Sequence, residues 1–537
     1  MYLCASKSND SKKKVKETEQ IARKKSAKDA TYDHVLKYIG VLGSVQGLKM
    51  LVQLVRNKLS SVLLHSEGVG LGATLSNISE LIHNATNLGL SFGTVRNLSE
   101  LFEEGTEEQR VHFVRVIRTW AVWTALLGAL LCLGLSVFLC KWFFDGDTSY
   151  TLTVCLLSLF IFTMPLEAVE CAIVKGMRRL KSLAMIETTV VFGCFALTIP
   201  LYYLLGMQGI VLSLILSGFF TLAVHLVVTT RMFPWSVSLF SKEMFREGLP
   251  LLKLGVPYVV AGVATTLSTS FIYGALEDLH EVGLYRQGFM MISIVAGLFF
   301  SAMDSDYFPR LSSANHDSER MNNMANQQIQ VNVLLVTPVL IVISLFMSRL
   351  IYLISSIEFI QVAPMVVCSV FYVFFKGVYT PVSYYPLAKG NSLLFMVAEV
   401  VYDVVVAALV YYGYVWGQEY LDLVFDGISC SGLMGAGIAL SLASLFDTLM
   451  VQSLYGMTYG FRLQRRTVVL VLCEMLCLLA TLPMCLMTNV PLQKYSIGIV
   501  TLSVSLLLAW RMLSKESSFF QRIAHKLRLG GHHDGCC

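Results

Sequence analysis

Long uninterrupted apolar runs follow one another along almost the whole chain, separated by short charged connections, and no other feature limits the fold so strongly. A helix needs roughly 20 apolar residues to cross about 30 Å of hydrocarbon. Fourteen runs meet that length, near 36–64, 68–95, 117–140, 151–174, 184–205, 208–230, 252–275, 282–304, 331–354, 363–388, 393–416, 433–458, 467–488 and 495–513. They are continuous instead of alternating at every second residue, so they predict helices and not the strands of a barrel. Of the 537 residues 55% are hydrophobic and only 14% charged, and the mean hydropathy is +0.64, which excludes a soluble globule. The expected fold is an all-α polytopic membrane protein with 14 transmembrane helices.

The net charge of +5 matters less than its placement. Lys and Arg gather in residues 1–35, then at Arg96, Arg110, Arg115 and Arg118, at Lys175, Arg178, Arg179 and Lys181, and at Arg231, Lys242 and Arg246. They recur at Arg310 and Arg320, at Lys389, at Arg462, Arg465 and Arg466, and after Arg511. All these connections share one side if the chain starts inside and crosses fourteen times. Glu67, Asp145, Asp147, Glu277, Asp278, Glu281, Glu419, Asp422 and Asp426 fall on the other side, where Lys141, Arg349 and Lys494 are the exceptions. The positive-inside rule then puts both termini in the cytoplasm. No apolar core with a cleavage site precedes the first run, so a cleaved signal peptide is not expected. The basic segment reads as a topology-fixing tail on anionic lipid and not as a nucleic-acid arm. Most of the 13 Cys sit within the apolar runs, Cys132, Cys194 and Cys368 among them, and read as packing residues and not as a disulfide framework.

The chain repeats itself. An offset of 213 maps Val69-Gly70-Leu71 onto Val282-Gly283-Leu284 and Leu98-Ser99 onto Leu311-Ser312. Lys175-Gly176 corresponds to Lys389-Gly390, and Gly209-Ile210 to Gly437-Ile438. Runs 1–6 and 7–12 are therefore expected to be two pseudo-symmetric six-helix lobes of equal orientation, with two C-terminal helices appended. The implied division is a basic N-terminal segment at 1–35, an N-lobe at 36–231, a cytoplasmic linker at 232–251, a C-lobe at 252–461, the appended pair at 462–513 and a cytoplasmic tail at 514–537. Transporters built from such repeats bind substrate between the halves and rock them to alternate access.

Polar side chains within the apolar runs mark the expected site. Gln46, Lys49, Gln53 and Arg56 recur at spacings of three and four on the first run, which places them on one helix face, and Asn77, Glu80, Asn84, Asn87 and Ser91 do the same on the second. A Lys or Arg near the bilayer centre costs roughly 2.5–3.5 kcal/mol on insertion scales, a cost removed where water or an anion meets it. The rows are read as facing a shared watery cavity, with Arg286 joining from the eighth run. The bland alternative is buried pairing of Lys49 or Arg56 with Glu80. Lys376, Glu399, Asp403 and Asp447 are isolated charges in the second half. They read either as structural ion pairs, Lys376 neutralising Asp403 or Asp447, or as a place where a carboxylate takes up H⁺ or Na⁺ for coupling. No catalytic constellation, Walker loop or metal-ligand pattern is present, so neither an enzyme nor a bound cofactor is expected.

The segments "SEGVGLGATLSNISELIHNATNLGLSFGTVRNLSE" (66–100), "KLGVP" (253–257), "EVGLY" (281–285) and "SAMDSDYFPRLS" (301–312) resemble those of bacterial O-antigen and polysaccharide flippases, members of the multidrug/oligosaccharidyl-lipid/polysaccharide exporter superfamily. The family's Gly-Pro-Glu turn after the first helix is here His65-Ser66-Glu67. The resemblance implies a V-shaped pair of lobes in the bacterial inner membrane. It also implies flipping of undecaprenyl-pyrophosphate-linked oligosaccharide between leaflets, with glycan polymerase or other assembly proteins as partners. On that reading Lys49, Arg56 and Arg286 hold the phosphates, while Gln46, Gln53, Asn77, Asn84 and Asn87 bond sugar hydroxyls. Two rivals remain at this point: a cation-coupled drug or metabolite exporter on the same scaffold, and a membrane glycosyltransferase acting on the same lipid.

Overall fold

The computed structural model describes residues 47–144, 146–239, 241–421, 430–486 and 491–516. The expectations for the basic segment, for Gln46 and for the C-terminal tail lie outside these residues. Among the described residues the regular structure is helical, without a β-strand.

Residues 47–86 (α1) are helical throughout but make a hairpin. His65, at the tip, has φ 56°, the left-handed region that reverses the chain. One arm runs from Lys49, beside Glu187 near the start of the fifth crossing, to Lys58, which donates to the Tyr352 carbonyl at 2.5 Å. The second arm runs back from Ser66, beside His280 and Glu358, to Asn84, beside Gly262. The sequence places this turn correctly. It misses the end of the second arm, because Leu88 (φ 54°) and Gly89 (φ 69°) break the predicted 68–95 run before α2 (Leu90–Glu104). Gly89 is required there twice over: its φ is positive, and a Cβ would lie 2.4 Å from the Gly255 Cα.

The N-half continues with α3 (Glu107–Phe143), α4 (Thr151–Gly176), α5 (Leu180–Leu205) and α6 (Gly209–Thr229). The C-half holds α7 (Lys242–Ala275), α8 (Leu279–Ser313), α9 (Ser318–Ile354), α10 (Ala363–Cys368), α11 (Val370–Ser383), α12 (Tyr385–Ala388), α13 (Ser392–Trp416) and α14 (Ser431–Tyr459). The appended helices are α15 (Arg465–Leu486) and α16 (Pro491–Glu516), which pack on α9 and on each other. Polar N-caps begin several helices. Thr106 and Gln109 form a capping box on α3, and the Ser241, Asp278, Asp317 and Asn391 side chains accept from the backbone N–H three residues on.

By length and composition nine described segments can cross a membrane, or ten if a bent pair is one span. One of the nine, Lys181–Thr229, contains the two hairpin-connected helices α5 and α6. The bent pair is the predicted 363–388 run, which turns by 43° at Ser369, between α10 and α11. The α1 hairpin and α8, which carry the predicted polar residues, are not among the nine.

We call the face bearing the α4–α5 turn (Arg178, Arg179) and the α14–α15 turn (Arg462, Arg465) inner, and the opposite face outer. The N-half has two apolar cores, one inner around Ile117, Trp120 and Ile173, one outer around Leu75, Leu139 and Ile161. The C-half has a single large core around Leu284, Ile341, Phe374 and Leu440. At the inner face the segment joining the halves lies strapped along α3. Arg118 donates to the Phe233 and Pro234 carbonyls and forms a two-pronged ion pair with Glu170 at 2.7 and 2.9 Å, both side chains 1% exposed. Trp123 and Trp120 donate to the Leu239 and Met244 carbonyls.

Candidate functional site between the two halves

The repeat seen in the sequence meets itself in the fold. The second arm of α1 crosses α8 so closely that a Cβ on Gly70 would lie 1.8 Å from the Leu279 carbonyl oxygen, and one on Gly283 2.0 Å from that of Ser66. Ser66 and Gly70 map onto Leu279 and Gly283 by the same offset of 213, so each half presents the same patch to the other, as across a two-fold axis. Around this crossing the outer ends are joined. Ser66 contacts both Glu358 and His280, and Glu358 also pairs with His65 at 3.3 Å and with His280 at 3.6 Å.

Outside this junction lies a cleft of about 310 Å³ lined by Glu67, Asp147, Glu277, Asp278 and His280. The Ser149 N–H and hydroxyl, both at 2.8 Å, hold the Asp147 carboxyl below its ordinary range.

Inward of the crossing, a cavity of about 190 Å³ opens between the halves. From α1 it receives Asn77 and Glu80, from α7 Thr265, Thr269 and Tyr273, from α8 Tyr285, Arg286 and Phe289, from α11 Tyr372, and from α13 Tyr402 and Asp403. Glu80 and Arg286 are exposed to it, and Arg286 lies beside Tyr273. Asp403, buried, accepts from the Thr265 hydroxyl at 2.8 Å. Four rings form a connected wall: Tyr273 meets Tyr285 edge-on, Tyr285 stacks on Phe289 at 6.2 Å, and Phe289 meets Tyr372 at 6.0 Å.

The polar rows of the first two runs divide among different surroundings. Asn77 donates to Ser270 at 2.8 Å, and Asn84 to the Gly262 carbonyl at 3.3 Å and the Thr266 hydroxyl at 3.4 Å, so these two also tie α1 to α7 across the halves. Asn87 lies farther in, its buried Oδ1 without a hydrogen-bond partner. Lys49 pairs with Glu187 on α5, not with Glu80, and does not line the cavity. Arg56 lies near Tyr202 of α5, and Gln53 is exposed; neither lines it. The expected cluster of three cations thus resolves into one, Arg286, accompanied by two carboxylates. The physical reason is that the first arm of α1 turns its charged face toward α5 of its own half, where Glu187 supplies the counter-charge.

Lys376 and Glu399 lie about one helical turn inward of Tyr372 and Asp403, and Asp447 about two turns inward of Leu440. Lys376 stands over the Tyr372 ring at 5.7 Å and within electrostatic reach of Glu399 and Asp447. Its expected partnership with Asp403 is replaced by the Thr265 hydrogen bond. Sequence reasoning passed over Thr265 and the aromatic wall, although the hydroxyl run Thr265, Thr266, Thr269 and Ser270 was a signal: such spacing puts hydroxyls on adjoining faces of one helix. It also passed over Glu170 and Glu187, the counter-charges inside the N-half.

The sequence profile of the polysaccharide biosynthesis protein family matches residues 63–364, more than half of the chain. No curated protein sequence matches significantly. Among solved structures the chain is similar to the lipid II flippase MurJ in an inward closed conformation, with TM-score 0.64 at 14% identity, covering 88% of this chain and 99% of that one. It is similar too to a multidrug resistance MATE family transporter of the MOP superfamily. The inward-facing form gives TM-score 0.58 at 14% identity over 79% of this chain and 95% of that one. The outward-facing form gives 0.57 at 13% identity, over 81% and 96%. At these identities the likeness is one of fold, and it is the fold of polytopic membrane transporters. The chain belongs to the polysaccharide biosynthesis protein family and has the architecture of the MOP exporters.

Proposed function

We propose that this protein is a flippase. It moves an undecaprenyl-pyrophosphate-linked oligosaccharide from the inner to the outer leaflet of a bacterial inner membrane by alternating access, with both termini in the cytoplasm. One observation carries the reading: a polar, aromatic-walled cavity lies between two repeat-related halves of an apolar bundle, inward of a tight outer junction. A sugar head is excluded from bare hydrocarbon but finds hydroxyl, amide and ionic partners there, while a lipid tail stays in the bilayer. The profile match to polysaccharide biosynthesis proteins supports a glycan as the cargo. Glycan polymerase and other assembly proteins are the expected partners.

The carboxylates supply a second reading, because Glu80 and Asp403 also suit a cationic drug or metabolite exported against H⁺ or Na⁺. Within the flippase reading, Asp403 with Lys376, Glu399 and Asp447 is where such an ion would couple.

The test is reconstitution in liposomes with a fluorescent polyprenyl-pyrophosphate-linked oligosaccharide in the inner leaflet, scored by lectin access at the outside. Movement should require the protein and should fall at least tenfold in Arg286→Ala. Export of cationic dyes with no movement of the lipid-linked glycan would favour the exporter and refute the flippase.

A further inference from the structure

Among the described residues, the formal charges at the cavity wall come from Arg286, Glu80 and Asp403, so their sum is negative. Arg286 is not alone: it lies beside Tyr273 and within electrostatic reach of Glu80. An anion entering here meets two carboxylates for one guanidinium. In a water-poor setting such like-charge contacts cost far more than in bulk solvent. The rest of the wall suits something else. The connected rings of Tyr273, Tyr285, Phe289 and Tyr372 offer flat apolar surface. The Thr269 hydroxyl, the amide of Asn77 and the carboxylates supply acceptors and donors at its edge. A pyranose has this two-sided character, with apolar C–H faces and a hydroxyl rim. At about 190 Å³ the cavity is large enough for a monosaccharide-sized group.

We infer that this cavity reads a single uncharged sugar of the lipid-linked glycan and rejects an acidic one, with Glu80 and Asp403 as the residues that impose the choice and the pyrophosphate held outside it. This rests on the flippase reading and names the class of glycan that the same site accepts. Asp403 is fixed by Thr265 and so presents its charge at a constant position. Glu80 faces open space and meets the sugar directly.

The experiment compares two probes in detergent, the same polyprenyl pyrophosphate bearing either one N-acetylhexosamine or the corresponding hexuronic acid, with affinity read by thermophoresis. The wild-type protein should bind the uncharged probe at least tenfold more tightly. The ratio should shrink to about threefold in Glu80→Gln and to within twofold in Glu80→Gln/Asp403→Asn. The single variant keeps the test decisive if the double one does not fold. Equal affinities in the wild type, or a ratio unchanged by Glu80→Gln, would overturn the inference. The same probes in liposomes separate it from the reading beneath it. Selective binding without movement of either lipid would refute the flippase and leave the sugar selectivity standing. Equal movement of both would keep the flippase and remove the selectivity.

Discussion

Alanine at Gly70 or Gly283 should hold the outer ends of the two halves apart. Real Cβ atoms essentially never approach a neighbour closer than 3.0 Å, and here they would stand at 1.8 and 2.0 Å from backbone carbonyls that no side-chain rotation can move. The helices must therefore separate by at least 1.2 Å for Gly70 and 1.0 Å for Gly283. Overpacking of this kind costs about 1–3 kcal/mol. The same displacement loosens the contacts of Ser66 with Glu358 and His280, and a hydrogen bond to a charged group contributes about 1.5–3 kcal/mol. A total of roughly 3–5 kcal/mol lowers the population of the closed outer junction by roughly 150- to 4,000-fold. Electron–electron distance measurements between spin labels at Thr148 and Glu419, both exposed on the outer face, will read the separation in a cysteine-depleted background. Both variants should shift the distance distribution outward and, on the flippase reading, slow movement of the lipid-linked glycan. Because one separation relieves both clashes, the double variant should behave like either single one and not like their sum. Gly72→Ala is the control, since its Cβ would meet only Ile210 at an ordinary 3.7 Å. An unchanged distribution in Gly70→Ala, or strict additivity in the double variant, would refute the shared-crossing argument.

Arg118→Ala leaves the buried Glu170 carboxylate uncompensated and should cost about 3–5 kcal/mol, seen as a lower thermal midpoint in detergent, whereas Arg118→Met/Glu170→Leu should recover most of that loss. Lys49→Glu sets two carboxylates together and should lower stability, and Lys49→Glu/Glu187→Lys should restore it; because the pair is about one-third exposed, Lys49→Ala should cost only about 1 kcal/mol. Asp403→Asn keeps an oxygen for the Thr265 hydroxyl, so its thermal midpoint should stay near that of the wild type; if Asp403 takes up the coupling ion, export in liposomes should lose its response to an imposed H⁺ or Na⁺ gradient.

Local periodicity carried most of the fold. The predicted 151–174, 393–416 and 433–458 runs appear as α4, α13 and α14 within two residues at each end, because long apolar segments in lipid have no competing structure that satisfies the backbone. The repeat was legible too, since an offset of 213 shared by a loop and a helix is a property of sequence alone. What escaped depends on contacts distant in the chain. Lys49 and Glu80 share a hairpin and so look like partners, yet the partner is Glu187, 138 residues away. Arg118 reads as a marker of the inner face, while the acid it needs sits inside a different apolar run. The break at Asn87–Gly89 follows from the close passage of Gly255, which no pattern within residues 68–95 reveals.

The two halves use their buried charges differently, and this bears on how one site can face two sides. In the N-half Lys49 is matched by Glu187 and Arg118 by Glu170, both within that half, and the second pair also secures the segment leading to α7. Internal pairs keep their geometry when the half moves as a unit, so they bind its helices without resisting rotation. In the C-half, Arg286 and Asp403 instead face the cavity, with Lys376, Glu399 and Asp447 about one to two turns inward. The N-half contributes Glu80 and Asn77 to the cavity, and the amides of Asn77 and Asn84 bond uncharged hydroxyl and carbonyl groups of α7, partners that water or a sugar hydroxyl can replace. These amide contacts across the halves are thus exchangeable, whereas the ion pairs within the N-half are not. On the flippase reading, that asymmetry would let the halves rock as units, so substitutions at the cavity residues Glu80, Arg286 and Asp403 should alter what is carried, and those at Lys49 and Arg118 only whether the protein folds.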